Sequence, residues 1–219
     1  MAASVAAYPA QTIINECPFA NNSKHSTVNS SPTTYSAQAH GICPLSSSAN
    51  QGHIDCQSVG NLHLTPADHA LSAALQNLTA IDPNYRTAPL STSFNWSQVA
   101  ASLPADISGK WYIVVFRSVR RADANSRTLY DADGAAHEEA KNSGGILTYW
   151  YGRLELSDNT CLAMCVWANR DFAKQATQLP SHAIAMRLAA RMYVSYTLER
   201  YWLMKEKGED TFRIEQIYK

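Results

Sequence analysis

Two tyrosines in one predicted strand carry the strongest chemical signal in this sequence. Tyr149 and Tyr151 fall in the run ILTYWYGRLEL, residues 146–156, whose β-branched and aromatic residues predict a strand. Because successive side chains of a strand point to opposite faces, the two tyrosines share one face and Trp150 points to the other. Phenolic hydroxyls can donate hydrogen bonds to a substrate carbonyl, so this face is a candidate active-site wall. Packing in an ordinary aromatic core is the alternative.

A histidine and an arginine are the other candidates for catalysis. His182 follows Ser181, which is expected to cap a helix, and a helix N-terminus disfavours the charged imidazolium. His182 is therefore a candidate neutral base or donor, with a solvent-facing position as the alternative. Arg117 lies in the apolar run KWYIVVFRSV, where a buried guanidinium needs a carboxylate, such as Glu155 or Glu199, or a substrate oxyanion. The candidate catalytic residues are Tyr149, Tyr151, His182 and Arg117.

Apolar side chains around these positions predict a hydrophobic pocket. Alternation along residues 110–119 puts Val115 and Arg117 on one face of a strand and Phe116 on the other, and either face can meet the pocket. Such a pocket can hold a flexible substrate in a reactive conformation while a few donors polarise a carbonyl. The candidate substrate-binding residues are Trp167, Met186, Tyr193, Val115 and Phe116. His137 is expected on the surface of a short helix.

These residues are distributed over alternating strands and helices in the second half of the chain. Strands are predicted at residues 110–119, 146–156 and 160–168, with a helix over residues 131–142 between the first two. Residues 157–159, Ser-Asp-Asn, supply the turn of a hairpin between the second and third strands.

The last part of the chain is predicted to be mostly helical. Asn169 caps a short helix, Pro180 interrupts it, and a long helix follows over residues 182–207. Gly208 ends that helix, and the segment FRIEQIY supplies a last strand. Residues 109–219 therefore have the order β-α-β-β-α-β, which predicts an α+β fold, a ferredoxin-like sandwich.

The first part of the chain has a different character. Residues 1–64 are rich in Ser, Thr, Asn and Ala and carry very few charged side chains, which predicts a poorly ordered arm. Residues 65–108 predict a helical N-terminal extension to the main domain. Its first helix has Thr65 as N-cap and Pro66 at the first helical position.

Composition narrows the class of protein without naming a reaction. The 219 residues hold 18 basic and 18 acidic side chains, and a net charge of zero argues against a nucleic-acid partner. The sequence has no run of about 18 apolar residues, so no membrane span is expected, and its N-terminal residues lack the basic region of a signal peptide. The five cysteines form no disulfide pattern, so a reducing, cytoplasmic location is expected.

Several cofactor and metal classes leave no motif in this sequence. It contains no G-x-x-x-x-G-K-[ST] loop, no G-x-G-x-x-G turn, no G-x-S-x-G elbow and no H-E-x-x-H. Cys43, His53 and Cys56 match no common zinc spacing. We therefore expect neither a metal ion nor a cofactor.

Four segments resemble a family of uncharacterised fungal proteins, some of which are encoded among secondary-metabolite genes. The segments are WYIVVFRSVRR, SGGILTYWYGRLE, CVWANRDFAKQA and PSHAIAMRLAARMYVSYTLERYWLMKEKGE, within residues 109–210. The run VWANR at residues 166–170 is more weakly similar to the dimeric α+β-barrel superfamily. That second resemblance implies a hydrophobic substrate held between sheet and helices, since members of the superfamily include cofactor-free monooxygenases, polyketide cyclases and small dehydratases.

The leading hypothesis is a cofactor-independent enzyme of fungal secondary metabolism that shapes the cyclisation or rearrangement of a hydrophobic polyketide- or terpene-derived intermediate. It would act as a cyclase or isomerase, for example a pericyclase that guides an intramolecular Diels–Alder reaction, in a pocket of roughly 300 Å³ or more. A cofactor-free monooxygenase is one alternative, and a non-enzymatic carrier or dimerisation module is another. The expected partner is a small hydrophobic substrate, and an exposed sheet face or edge would favour a homodimer.

Overall fold

The structure, a computed structural model, describes the backbone of residues 51–54 and all of residues 64–218. Most of the predicted arm, residues 1–64, therefore lies outside the described residues. The three residues considered above as metal ligands also lie outside the described side chains: Cys43, His53 and Cys56. No helix in the described part of the chain is long and apolar enough to cross a membrane. The described side chains contain no cluster of three or more His, Cys, Asp or Glu residues suited to a metal ion.

Strands and helices alternate along the described chain, with the following bounds. The strands are β1 (Gln51–Ile54), β2 (Gly109–Arg120), β3 (Ile146–Gly152), β4 (Thr160–Trp167), β5 (Tyr193–Lys205) and β6 (Arg213–Gln216). The helices are α1 (Pro66–Leu75), α2 (Leu90–Ser93), α3 (Trp96–Ala101), α4 (Ser126–Ser143), α5 (Arg170–Thr177) and α6 (Pro180–Met192).

The strands form one antiparallel sheet with the spatial order β1-β3-β4-β2-β5-β6. Its four central strands are joined by α4 between β2 and β3, by a hairpin between β3 and β4, and by α5 and α6 between β4 and β5. This is the ferredoxin-like β-α-β-β-α-β arrangement, so the predicted α+β fold class is confirmed. The short strands β1 and β6 extend the sheet at its two edges.

The predicted long helix over residues 182–207 is wrong in its second half. Helix α6 ends at Met192, and the chain passes directly into the strand Tyr193–Lys205, which pairs with β2 along nearly its whole length. This segment is rich in aromatic and β-branched residues, and pairing with a distant strand outweighs its local helical pattern. β5 is therefore the last strand of the ferredoxin-like unit, and β6 is an addition to it.

Two helix starts also differ from the predictions. Helix α4 begins at Ser126 rather than at residue 131, because the Asn125 side chain accepts a hydrogen bond from the Thr128 backbone N–H at 3.0 Å and so caps an earlier turn. In α6, Pro180 occupies the first helical turn instead of interrupting a helix, since a proline there loses no intrahelical hydrogen bond.

Helix α1 is joined to the sheet through its own N-terminal cap. Thr65 Oγ1 accepts a hydrogen bond from the Asp68 backbone N–H at 3.2 Å, and the Asp68 carboxylate accepts one from the Thr65 backbone N–H at 2.8 Å. The other oxygen of Asp68 accepts the indole N–H of Trp111 at 2.7 Å. The capping residue therefore also positions α1 on strand β2.

Helices cover both faces of the sheet. The N-terminal helices and their connecting loops bury one face, where Leu71, Phe94 and Trp96 belong to one hydrophobic core. Helices α4, α5 and α6 cover the opposite face, which contributes Tyr112 and Trp167 to a second core. Because the chain itself covers both faces, a homodimer, which stays a prediction, would have to use a sheet edge or a helical surface.

Candidate functional site

A cavity of about 130 Å³ lies between the sheet and the helices α4 and α6. Its floor consists of alternate residues of β2 and β4, because every second side chain of a strand points to the same face. The floor residues are Phe116, Ser118, Arg120, Cys161, Ala163, Cys165 and Trp167. The cavity therefore follows the strand direction, with Arg120 and Trp167 toward opposite ends, since Trp167 pairs with Tyr112 near the start of β2.

Helices α4 and α6 form the opposite wall of this cavity. Helix α4 contributes one face at helical spacing, with Asp133, Ala136, His137 and Ala140 turned toward the sheet. The residues of α6 that line the cavity are His182, Ala185, Met186, Leu188 and Ala189. Both helices contribute alanines to this wall, and these small side chains leave space that larger ones would fill.

The polar centre of the cavity is a tyrosine–carboxylate pair. The Tyr149 hydroxyl donates a hydrogen bond to Asp133 Oδ2 at 3.0 Å. The His137 ring stacks on the Tyr149 ring, with 5.2 Å between ring centroids and an interplanar angle of 29°. Tyr149 therefore contacts Asp133 and His137, the two titratable residues of α4 in the cavity lining.

Burial shifts the pKa values of these two titratable groups in opposite directions. It raises the pKa of Asp133 to about 6, against the opposing effects of the Tyr149 hydrogen bond and the Arg120 charge. It lowers the pKa of His137 to about 4, assisted by the nearby Lys141 and opposed by Glu138. At neutral pH the cavity therefore holds an ionised carboxylate of raised basicity beside a neutral imidazole.

Two buried donors of the cavity lining have no partner among the described residues. Arg120 is 5% exposed, and its Nη1 donates to Ser126 Oγ and to the Tyr130 hydroxyl, each at 3.2 Å. Its Nε has no hydrogen-bond acceptor in the described part of the chain, and the same holds for Trp167 Nε1. Buried polar atoms are nearly always paired, so these two donors call for an acceptor that the described residues do not supply, either water or a ligand.

A carboxylate from α4 holds the N-terminus of α6 over the cavity. Glu139 Oε2 accepts hydrogen bonds from the backbone N–H groups of Ser181 at 2.8 Å and His182 at 3.3 Å. The predicted Ser181 cap is therefore wrong, because Leu179 occupies the N-cap position and another helix supplies the acceptor. Burial lowers the pKa of His182, with the Glu139 charge opposing, and this favours the neutral imidazole.

A β-bulge turns two tyrosines of β5 toward the cavity. The pairing of β2 with β5 shifts between Val119, which faces Ser195, and Arg120, which faces Tyr193. The extra residue at this shift lets Tyr193 and Tyr196 lie on the same face, where their rings stack 5.9 Å apart at 17°. Neither residue is helical, because α6 ends at Met192 and β5 begins at Tyr193.

The structure brings together most of the candidate residues from the sequence. Those that line the cavity are Tyr149, His182, Trp167, Met186, Tyr193 and Phe116. Tyr151 is buried on the same face as Tyr149, with 6.2 Å between the ring centroids, but packs beside the cavity instead of lining it. The catalytic and substrate-binding roles assigned to these residues stay predictions.

Arg117 and Val115 lie on the opposite face of the sheet, so their predicted place in the pocket is wrong. Val115 is fully buried in the core beneath the N-terminal helices. Arg117 Nε donates to Glu199 Oε1 at 2.9 Å, and its other nitrogens donate to backbone carbonyls of the loop before α2, including those of Tyr85 and Ala88. The physical reason is the alternation of β2, which can send only the set that includes Phe116 toward the cavity.

The sequence interpretation missed the polar residues of α4. His137 was expected on the surface, yet it is 6% exposed and lines the cavity. The available signal was the spacing of Asp133, Ala136, His137 and Ala140, which share one helix face. All four positions also lie within the predicted helix over residues 131–142, so the sequence already contained this signal.

Comparison with known proteins connects this chain to one family and to several structures of similar topology. The UPF0643 protein PB2B2.08 of Schizosaccharomyces pombe is 27% identical over 164 residues, which cover 68% of this chain and 74% of that protein. The structure of Rv0793 from Mycobacterium tuberculosis matches at 14% identity, with a TM-score of 0.37 and coverage of 44% of this chain and 95% of that one.

SnoaB from Streptomyces nogalater, described as a cofactor-independent oxygenase, matches at 13% identity and a TM-score of 0.35, over 45% of this chain and 94% of its own. The expected kinship with uncharacterised fungal proteins is confirmed at the level of the family, while the link to secondary-metabolite genes stays a prediction. The model of the PB2B2.08-like family matches residues 50–216. The chain is therefore a member of the PB2B2.08-like family.

Proposed function

We propose that this protein is a cofactor-independent enzyme that removes a proton from a small, ring-containing hydrophobic substrate. The resulting carbanion is then oxidised by dioxygen. The observation that carries the proposal is the hydrogen bond between Tyr149 and Asp133 inside a largely apolar cavity, beside the neutral imidazole of His137. A carboxylate whose pKa is raised to about 6 remains ionised at neutral pH and is a stronger base than an ordinary aspartate.

The size of the cavity favours a ring-sized substrate over a folded polyketide or terpene. Its volume is about 130 Å³, well below the roughly 300 Å³ expected of a pocket for such an intermediate. Engineered cavities of about 150 Å³ bind benzene. Met186 is 52% exposed and Tyr196 is 40% exposed at the cavity wall, so a substituent of a bound ring can extend past them toward solvent.

The proposed reaction divides into a proton transfer and an oxidation. Asp133 accepts a proton from an activated methylene of the substrate, and Tyr149 donates its hydrogen bond to the carboxylate before the transfer. The resonance-stabilised carbanion then reduces dioxygen, with the overall balance R₂CH₂ + O₂ → R₂C=O + H₂O. A bound substrate would displace water from the largely apolar lining, which would strengthen the electrostatic interactions with the anion.

The same proton transfer supports an isomerase or cyclase as the second candidate. Asp133 can return the proton to a different carbon, and the neutral imidazole of His137, which stacks on Tyr149, lies beside that pair. This pathway consumes no dioxygen. A carrier, the third possibility considered from the sequence, would bind the ring compound without any exchange of its protons.

Deuterium exchange and oxygen uptake together distinguish these functions. A panel of enolisable ring compounds, including cyclohexane-1,3-dione and 2-indanone, is incubated with the protein in D₂O under nitrogen and then under air. We expect methylene exchange under nitrogen and, under air, dioxygen uptake with one ¹⁸O atom from labelled dioxygen in the product. Exchange without uptake would support the isomerase, and binding without exchange would support the carrier.

Substitutions at the polar centre connect that activity to the cavity. Asp133→Asn is expected to lower the exchange rate by about 10²- to 10⁴-fold, the usual contribution of a positioned general base. Tyr149→Phe is expected to lower it less, and Tyr151→Phe, on the same strand face but outside the cavity lining, is the matched control. Wild-type exchange by Asp133→Asn would contradict the proposed base.

A further inference from the structure

Arg120 is a buried cation without a carboxylate partner in the described part of the chain. Its guanidinium is held by the hydroxyls of Ser126 and Tyr130 and lies 5.3 Å from the centroid of the Tyr130 ring. No carboxylate of the described residues lies within salt-bridge distance of it, and its Nε lacks an acceptor there. Hydroxyls and a ring face hold a guanidinium in place, but they do not neutralise its charge.

Arg117, on the same strand, shows how this fold treats a buried arginine that serves stability. Its guanidinium has Glu199 as a carboxylate partner and backbone carbonyls at its other nitrogens. Arg120 is more deeply buried than Arg117, yet it lacks this complement of acceptors. Burial of a charge that has no ion-pair partner destabilises a fold, so the position of Arg120 at the cavity favours an acceptor that arrives with a ligand.

The neighbours of Arg120 leave that acceptor position open. Asp133 is the charged residue of α4 that feels the Arg120 charge, but its carboxylate accepts the Tyr149 hydroxyl. Tyr193 of β5 and Cys161 of β4 also face the guanidinium and line the cavity. The described carboxylates, including that of Asp133, lie beyond salt-bridge distance of the Arg120 guanidinium.

We infer that Arg120 binds an anionic oxygen, a carboxylate or a phenolate, carried on the ring of the substrate. The inference deepens the proposed function, since it rests on the same cavity as the substrate site. A guanidinium suits this task because its planar donors can form two parallel hydrogen bonds to a carboxylate. The anionic group then lies at the Arg120 end, and the body of the ring lies along Ser118 and Phe116.

This orientation assigns different tasks to the two ends of the cavity. Arg120 fixes the anionic group, while the Tyr149–Asp133 pair on α4 and β3 meets a ring carbon farther along the strands. A ligand held at one point can place one carbon repeatedly near the base, which raises the effective concentration of that carbon. The substrate class is therefore a small cyclic acid or phenol with an enolisable position.

Equilibrium binding of simple probes tests this inference without any turnover. Benzoate is compared with benzamide, which has the same ring and no charge, and 4-nitrophenolate is compared with 4-nitroanisole. Each probe is titrated into the full chain by calorimetry or by NMR. We expect the wild-type protein to bind at least one anion about tenfold or more tighter than its neutral counterpart, and the preferred pair distinguishes carboxylate from phenolate.

Variants of two adjacent arginines connect the preference to Arg120. Arg120→Gln is expected to abolish the anion preference, and Arg120→Lys is expected to keep part of it, because an ammonium retains the charge but loses the paired geometry. Arg121→Gln is the matched control, since Arg121 is half exposed and already paired with Asp123 at 3.0 Å. This control is expected to bind every probe as the wild type does.

Several results would overturn the inference. Equal wild-type affinity for charged and neutral probes would do so without any variant, as would the absence of probe binding up to the solubility limit. Unchanged anion affinity in Arg120→Gln would also do so, and if that variant does not fold, unchanged affinity in Arg120→Lys has the same meaning. If the wild-type protein prefers the anions but catalyses no deuterium exchange, that result contradicts the proposed function and leaves the inference about Arg120 intact.

Discussion

The two faces of the sheet are made from the same strands but have opposite packing. Toward the N-terminal helices, β2 presents Trp111, Ile113 and Val115, which are buried in a continuous apolar core. Toward α4 and α6, the same strand presents Phe116, Ser118 and Arg120 around a cavity. Neighbouring residues of β2 therefore lie in different environments, one in a closed core and the next at the candidate site.

The two faces also differ in how their buried polar groups are hydrogen-bonded. On the N-terminal face, Trp111 Nε1 is paired with Asp68, and the Ser72 hydroxyl donates to the Leu147 carbonyl at 2.7 Å. On the cavity face, Arg120 Nε and Trp167 Nε1 have no partner among the described residues. Buried hydrogen bonds of this kind stabilise the fold, whereas buried donors without a partner next to a cavity are available to a ligand.

The largest expected effect is a loss of stability when a buried tryptophan is truncated on the face that packs against the N-terminal helices. Trp150→Ala is expected to reduce the free energy of unfolding by about 3–5 kcal/mol, because it removes a fully buried indole that meets Phe94 at 4.8 Å and Tyr85 at 5.6 Å between ring centroids. Urea denaturation followed by tryptophan fluorescence and circular dichroism measures it. A loss below about 1 kcal/mol would show that this face is less tightly packed than described.

Removal of the arginine that anchors the closed face is expected to have the next largest effect. Arg117→Met leaves Glu199 half-buried with Tyr201 as its remaining partner at 2.7 Å, and should cost about 3 kcal/mol. The double variant Arg117→Met/Glu199→Gln should recover part of that loss. Probe affinity of the folded fraction should not change, and a change would contradict the separation of the two faces.

The shifted pKa values of the cavity residues Asp133 and His137 should make the stability of the protein depend on pH. The pKa of Asp133 is raised to about 6 in the folded protein, so the folded state holds an extra proton there and stability falls as pH rises from about 4 to 6. The pKa of His137 is lowered to about 4, so the unfolded state holds the extra proton and stability rises between about pH 4 and 6.5. The two contributions oppose each other in the wild type.

Two variants should separate these contributions, each by up to about 1 kcal/mol per pH unit. Relative to the wild type, His137→Gln leaves the Asp133 contribution unopposed, so its stability should fall with rising pH. Asp133→Asn leaves the His137 contribution, so its stability should rise with pH. Urea midpoints measured at several pH values between 4 and 7 test both signs, and parallel curves for the three proteins would contradict both shifts.

The smallest expected effect comes from filling the cavity. Ala163→Val adds two methyl groups to a strand position of the cavity floor and should raise the free energy of unfolding by about 0.5–1 kcal/mol while weakening probe binding. Ser195→Val, at an exposed position of β5, is the control for strand propensity alone. Unaltered probe affinity in Ala163→Val would place the ligand elsewhere.

Local patterns predicted three of the four central strands, β2, β3 and β4, and which of their residues share a face. Tyr149 and Tyr151 share a face opposite Trp150, as the alternation requires, and Arg117 is paired with Glu199, one of the carboxylates considered for it. The same patterns misassigned residues 193–205 to a helix. A run such as YVSYTLERYWLMK holds apolar residues at both periods, and only its pairing with β2 decides between them.

The sequence by itself determined which side chains share a face, namely alternate residues of β2 and of β3. It also determined the capped start of α1 at Thr65. These depend on backbone geometry and on hydrogen bonds between near neighbours in the chain. Only the tertiary structure decided which set faces the cavity, since that depends on which distant helix covers each face. Helix α4, a separate element, packs alanines and one aspartate against the sheet and leaves a space there. This packing produces the Asp133–Tyr149 pair and places it in the same cavity as Arg120, which has no carboxylate partner among the described residues.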